Sequence, residues 1–297
     1  MVDMTINRRR AASSKVSSER KLTGHRNEGD FSSLIEGHVI SGTQKADVRD
    51  GIDFLYSVKS GKKWQIFLYG HDRIEKSKYL SVLTPCLDAF TENASEYFSD
   101  RNKTIEFKEQ YLVKNGRKAI QDLTNEEVYF QLGPNEYIEA KNRLRDSTLM
   151  VAEKLKDKVF LRNFLAESIF NNEEVSFLAV KDSTLKKDNI FNVFHREDVL
   201  KTFTAALTPG VSRAGYVPID FNVDGQKTLL CYDKDNGAKK NLVEIEIRND
   251  SDDHYRQVRF NMYSKDALTI LLREYGAQYK MHPNRKVRYL GKARELL

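Results

Sequence analysis

Residues 43–69, TQKADVRDGIDFLYSVKSGKKWQIFLY, decide the fold. They read as three consecutive strands. The first ends in Lys45-Ala46-Asp47-Val48, the second covers 54–59 and the third covers 63–69. Asp50-Gly51 and Ser60-Gly61 supply turn chemistry between them. The strands are rich in aromatic and β-branched residues, which suit a half-buried pleated surface. An acid at one strand end and a lysine one strand later lie close in such a meander, a seat for a metal ion and a water. Because the strand period is two, Ser57 and Lys59 share a face. A tight two-residue turn at Asp50-Gly51 would put Asp47 on the opposite face. The expectation is therefore a loop spanning Arg49 to Asp53 that has an odd length or carries a bulge, which brings Asp47 and Lys59 to one side.

Working outward, residues 1–18 show no sustained period and read as a flexible basic arm. A helix is expected from about Ser18 to Ile35, with Phe31, Leu34 and Ile35 at helical spacing and Gly37 as its stop. Val39-Ile40 forms a short strand. After Tyr69, Leu80, Leu83, Leu87, Phe90, Ala94 and Tyr97 recur at steps of three and four, so a long helical pattern is expected. Pro85 either kinks it or marks the first turn of a second helix. Asn115-Gly116 suits a hairpin, and Gly133-Pro134-Asn135 breaks the chain. A second long helical stretch, with a possible interruption, is expected over 136–170. Strands are then expected at 175–181, 190–194, 216–223, 227–232, 242–248 and 258–263, with short helices at 196–206 and 265–275. Val243, Ile245 and Ile247 alternate with Glu244, Glu246 and Arg248, which predicts a strand with one wet or functional face.

The expected class is α/β, with a mixed central β-sheet flanked by helices and a β-rich C-terminal part. The expected organisation is the arm at 1–18, a core at 19–207, and a region at 208–297 that completes the fold, with the boundary in the Thr208–Pro218 loop. The 297 residues, 40% hydrophobic, are enough for a full core in one large domain or two smaller ones. No apolar run approaches the roughly 20 residues of a bilayer span. Residues 1–26 lack the apolar core of a secretory signal, although their Arg- and Ser-rich, acid-poor make-up also occurs in transit peptides. Cys86 and Cys231 show no metal spacing, which points to a reduced, cytoplasmic setting. The net charge of +6 is uneven. Residues 1–26 hold seven basic and two acidic side chains, residues 278–297 hold six and one, and the body between is slightly acidic. Basic ends neutralise nucleic-acid phosphates, and they also serve as solubilising tails.

Hydrolysis of a phosphodiester needs a nucleophilic water, charge stabilisation on the phosphate and a stabilised leaving oxygen. A magnesium ion on a few carboxylates addresses all three, and a nearby lysine holds the water. The set Asp47 and Ser57-Val58-Lys59 resembles the PD-(D/E)XK nuclease superfamily, which includes most type II restriction endonucleases. In that family an Asp near a strand end is followed on the next strand by an acid, any residue and a Lys, and an earlier helix often carries a Glu. The resemblance implies a restriction-endonuclease-like core in which Asp47 ligates Mg2+, Lys59 orients and activates the water and Ser57 hydrogen-bonds within the site. It covers residues 20 to about 95. Two departures stand: Ala46 replaces the Pro that many members have, and Ser57 replaces the acid. Some members with Ser-Val-Lys recruit a later Glu. By that analogy Glu75, or Asp72, completes the site; Glu28 on the preceding helix is the equal alternative.

The resemblance further implies sequence-specific cleavage of double-stranded DNA, a homodimer, a prokaryotic cytoplasm, and a cognate DNA methyltransferase as a functional rather than physical partner. Candidate DNA contacts are Lys62 and Lys63 after the second strand, Arg248, Arg256 and Arg259 in the later strands, and Arg285, Lys286 and Arg288 near the C-terminus, where basic and aromatic residues interleave. Two other readings stay open: a non-catalytic DNA-binding protein with a degenerate core, and a structure-specific repair nuclease. Asp220 with Glu244, Glu246 and Arg248 imitates a second metal-nuclease motif, but arginine is a poor partner for activating water, and a charged strand face explains it better. The six histidines form no ligand-spaced pair, and Gly210–Gly215 is no phosphate loop because no Lys-Ser/Thr follows.

Overall fold

The computed structural model describes residues 18–19, 22–42, 45–89, 95–97, 99–100, 103, 106, 136–182, 190–211, 227–234, 237–248 and 257–295. The expected arm up to residue 17, the hairpin at Asn115-Gly116, the break at Gly133, the strand at 216–223 and Arg256 lie outside them. The chain is mixed α/β and divides into two compact units that interleave along the sequence. The first comprises Met1–Trp64, Ile169–Thr202 and Ser264–Leu297; the second comprises Gln65–Ser168 and Phe203–Tyr263. Residues 208–263 thus fall in one unit and 264–297 in the other.

The first unit is built on a mixed sheet. Its strands are β1 (His38–Val39), β2 (Val48–Arg49), β3 (Leu55–Lys59), β5 (Phe177–Lys181), β6 (Phe191–His195), β11 (Tyr279–Met281) and β12 (Val287–Leu290). The spatial order is β1-β2-β3-β5-β6-β12-β11. The β3–β5 and β6–β12 pairs are parallel and the others antiparallel. β5 reads Phe-Leu-Ala-Val-Lys and is buried on both faces, as a central strand beside a parallel neighbour requires. Helix α1 (22–34) covers one face: Phe31 is fully buried, with its ring centroid 5.4 Å from Tyr56 and 5.1 Å from Phe191. Around it lie Val48, Val58, Phe177, Ala179, Val193, Val287 and Tyr289. The helix stops one residue earlier than Gly37 suggests. Glu36 takes the left-handed conformation (φ 56°), and Gly37 is needed for close approach, since a Cβ there would stand 2.5 Å from the Arg49 carbonyl oxygen.

The second unit holds an antiparallel-rich sheet of β4 (Lys63–Gly70), β7 (Thr208–Val211), β8 (Lys227–Asp233), β9 (Lys239–Arg248) and β10 (Gln257–Tyr263), in the order β4-β10-β9-β8-β7. The third strand of the opening stretch therefore does not continue the meander. β5 occupies the edge of β3 that β4 would need, and β4 pairs with β10 instead. The long helical pattern after Tyr69 is broken into α2 (His71–Glu75), a 3-10 turn (Leu80–Leu83) and α3 (Thr84–Asp88), with Pro85 in the first turn of α3. The stretch over 136–170 is two helices, α4 (Glu136–Lys154) and α5 (Lys158–Phe170). Asp157 begins the second by accepting the Val159 and Phe160 amides at 2.8 and 3.2 Å. α6 (Arg196–Ala206) and α7 (Ser264–Tyr275) fall where periodicity puts them.

The charged face of β9 is buried, not wet. Glu244 and Glu246 are 8% and 4% exposed. Lys227 Nζ stands 3.7 Å from Glu244 and 2.9 Å from Glu246, Arg259 pairs with Glu246, and the Tyr263 hydroxyl donates to Glu244. Burial and then that bond push the Tyr263 phenol up to about 12. Buried carboxylates survive only when so paired. Among the described residues no helix is long and apolar enough to cross a membrane.

Candidate active site

The hairpin between β2 and β3 sets the geometry. The Asp50 amide donates to the Phe54 carbonyl at 3.1 Å, so the loop is the odd-numbered Gly51-Ile52-Asp53. Asp53 adopts φ 69°, the left-handed residue that closes a three-residue hairpin. Asp50 fixes the turn: Oδ1 accepts the Ile52 and Phe54 amides at 3.0 and 2.9 Å, and Oδ2 accepts the Tyr56 hydroxyl at 2.7 Å. Burial, then the bond to Asp50, holds the Tyr56 phenol far above its usual range. The register becomes Val48 opposite Tyr56, with the Asp47 amide donating to the Tyr56 carbonyl at 2.8 Å. Asp47 thus lies across from Ser57 and shares a face with Ser57 and Lys59.

Three donors converge on one oxygen of Asp47. The Val58 amide donates to Oδ2 at 2.6 Å, the Lys59 ammonium at 3.2 Å and the Ser57 hydroxyl at 3.3 Å. Oδ1 accepts no hydrogen bond from the described residues. Ser57 is fully buried, whereas the Asp47 and Lys59 side chains are 20% and 15% exposed. A single carboxylate thereby presents one saturated oxygen and one open one. Comparison with protein-family models, curated proteins and solved structures finds no match. The site is thus read from its own chemistry. An open carboxylate oxygen on a partly exposed side chain is a hard donor of the kind Mg2+ takes.

The two candidate second carboxylates lie in different units. Glu28 is on α1 in the first unit, with its Oε2 3.1 Å from His25 Nδ1. Its neighbour Asn27 donates to the Ser60 hydroxyl at 2.8 Å, next to Lys59, and accepts from Lys181 Nζ at 2.7 Å. Lys181 also stands 3.4 Å from Asp30. This chain of polar contacts ties α1 to the C-terminal ends of β3 and β5. Glu75 is on α2 in the second unit, exposed and 3.6 Å from His71, whose other ring nitrogen is 3.0 Å from Asp88. Asp72 is exposed in the first turn of α2. Among the described residues no group of three or more His, Cys, Asp or Glu is placed to hold a metal.

The candidate DNA contacts scatter. Lys62 and Lys63 are exposed beside β3. Arg248 bonds to Gln257 at 3.1 Å, and Arg259 is engaged by Glu246, so both serve the second unit's sheet. Arg285 and Lys286 are exposed, and Arg288 sits over the Tyr279 ring at 5.2 Å. Sequence reasoning missed Asn27, Ser60 and Lys181. The available signal was Asn27 itself, a polar residue at helical spacing with Phe31 and Leu34, where a buried amide demands partners.

Proposed function

We propose that the protein is a magnesium-dependent endonuclease that hydrolyses double-stranded DNA at a specific sequence, a type II restriction enzyme of the PD-(D/E)XK kind with Ser-Val-Lys in its motif. The observation that carries the reading is the convergence at Asp47, with Oδ2 saturated by Val58, Ser57 and Lys59 and Oδ1 left open. The order of parts agrees with the resemblance: a Glu-bearing helix, an acid at a strand end, and a lysine on the next strand.

Asp47 Oδ1 would be the first ligand for Mg2+, and magnesium is commonly bound through only one or two carboxylates with waters and substrate phosphates. When bound, the ion neutralises phosphate charge and acidifies its water. Asp47 Oδ2 holds the Lys59 ammonium on the same face, beside the place where the attacking water must stand. Ser57 and the Val58 amide fix the carboxylate's rotation. The water's oxygen forms the new P–O bond as the bond to the leaving oxygen breaks; the proton the water loses passes to solvent, and the leaving oxygen takes one up from solvent. Glu28 and Glu75 remain equal candidates for the second carboxylate: Glu28 is in the same unit as Asp47 but on the helix that covers the opposite face, and Glu75 is in the other unit. A homodimer reading a palindromic site in a prokaryotic cytoplasm, opposed by a methyltransferase of the same specificity, completes the reading.

Long unmethylated phage DNA, incubated with the protein with and without Mg2+, tests it. Discrete bands only with Mg2+ are expected. A smear refutes sequence specificity and favours the repair nuclease. Intact DNA across several metals and salts refutes the nuclease reading. It favours the DNA-binding reading, whose support is the buried Ser57 in place of an acid.

A further inference from the structure

A cationic hairpin lies at the far edge of the first unit's sheet. From Tyr279 to Arg294 the chain has six Lys or Arg residues and no Asp or Glu. β11 and β12 pair antiparallel, and β11 is an edge strand. The His282 amide donates to the Val287 carbonyl at 2.9 Å and closes a loop over 283–286. Asn284 anchors this loop by donating to the Leu34 carbonyl at 2.6 Å. Arg285 and Lys286, in this loop, are exposed and carry no side-chain partner among the described residues; Lys280 lies opposite Tyr289, on the face that α1 covers rather than the face of Lys59. Tyr279, 49% exposed, has Arg288 over its ring.

Strand direction sets the loop at the same end of the sheet as Asp47 and Lys59. β5 runs parallel to β3, β6 antiparallel to β5, and β12 parallel to β6. The C-terminal end of β3 and the N-terminal end of β12 therefore coincide, and β2, antiparallel to β3, begins there too. The register forms one row: Lys59 opposite Val180, Val180 opposite Asn192, Asn192 opposite Arg288. At about 4.8 Å per strand step, β12 is about 14 Å from β3 and β11 about 19 Å. Successive phosphates of a duplex strand rise about 3.4 Å.

Resting on the nuclease reading, we infer that the β11–β12 hairpin grips the phosphate backbone of duplex DNA about four to six nucleotides from the phosphate held at Asp47 and Lys59, through Arg285 and Lys286 of its loop. Unpaired cations with no acid among them attract a polyanion, and the shared end of the sheet aligns them with the cutting position. Arg285 sharpens the assignment. It occupies a left-handed position (φ 57°), where glycine would sit without strain. The backbone gains nothing from an arginine there, so the side chain is what the position supplies.

The test uses the full chain and a fluorescent duplex in salt titrations without Mg2+, alongside cleavage with Mg2+. Each lost phosphate contact lowers the slope of log affinity against log salt by about 0.9, so R285G/K286Q is expected to lower it by about 1.8. Arg285→Gly alone is expected to weaken binding while its melting temperature stays equal or rises, which a structural role would not produce. A double variant with the wild-type slope overturns the inference, and persistent cleavage would leave the nuclease reading standing. Hairpin-dependent binding without any cleavage sinks the nuclease reading and keeps the hairpin. Polyglutamate competing as well as duplex at equal charge overturns the assignment to DNA. Absence of duplex binding at every salt concentration overturns both.

Discussion

Replacing Lys59 with Met separates chemistry from folding at the candidate site. The substitution removes the charge and keeps an apolar stem. Lys59 Nζ lies 3.2 Å from Asp47 Oδ2, and the two side chains are 15% and 20% exposed. After the change, Asp47 Oδ2 still accepts the Val58 amide at 2.6 Å and the Ser57 hydroxyl at 3.3 Å. The carboxylate is not orphaned, so the stability change should stay within about 1 kcal/mol, as for a partly solvated pair. A positioned group that orients or activates the reacting water contributes about 10²–10⁴ in rate. At about 1.36 kcal/mol per decade that is about 2.7–5.5 kcal/mol of barrier. The expected result is a fall in cleavage of about a hundredfold or more in a protein of near wild-type stability. Single-turnover cleavage of a duplex at saturating Mg2+, with urea melts of both proteins, measures the two quantities together. A variant that cuts within about threefold of wild type refutes the role given to Lys59.

Phe31 packs between Tyr56 and Phe191 with no exposure, so Phe31→Ala should cost the first unit about 3–5 kcal/mol, read as a lowered urea midpoint. An unchanged midpoint would mean that α1 does not cover the sheet. His195 governs part of the acid limb. Burial lowers it below its ordinary 6.5, so the folded state binds fewer protons than the unfolded chain and stability rises with pH through that window. The contribution is present above 6.5 and is lost as pH falls through the lowered folded value. His195→Gln should flatten that limb; equal slopes in both proteins would rule the account out.

The local pattern determined a good deal by itself. Periodicity sufficed for β3, β5, β6, β8, β10, α6 and α7, because alternation and helical spacing are properties of a few neighbouring residues. The requirement that Asp47 and Lys59 share a face called for an odd loop or a bulge over 49–53, and the loop is the shorter, odd-numbered Gly51-Ile52-Asp53. Other features were fixed by residues distant in sequence. β4 has the composition to extend the meander, yet the edge of β3 went to β5, a competition that no local pattern contains. Glu244 and Glu246 alternate like a wet face. They are buried because Lys227 and Arg259, on the two flanking strands, arrive to pair with them. The alignment of the 283–286 loop with Asp47 follows from four successive strand pairings in one sheet. Sequence fixes which side chains a strand offers, because that depends on the backbone's own period. Only the packed sheet decides which strand lies beside it, because that depends on every other strand competing for the same hydrogen bonds.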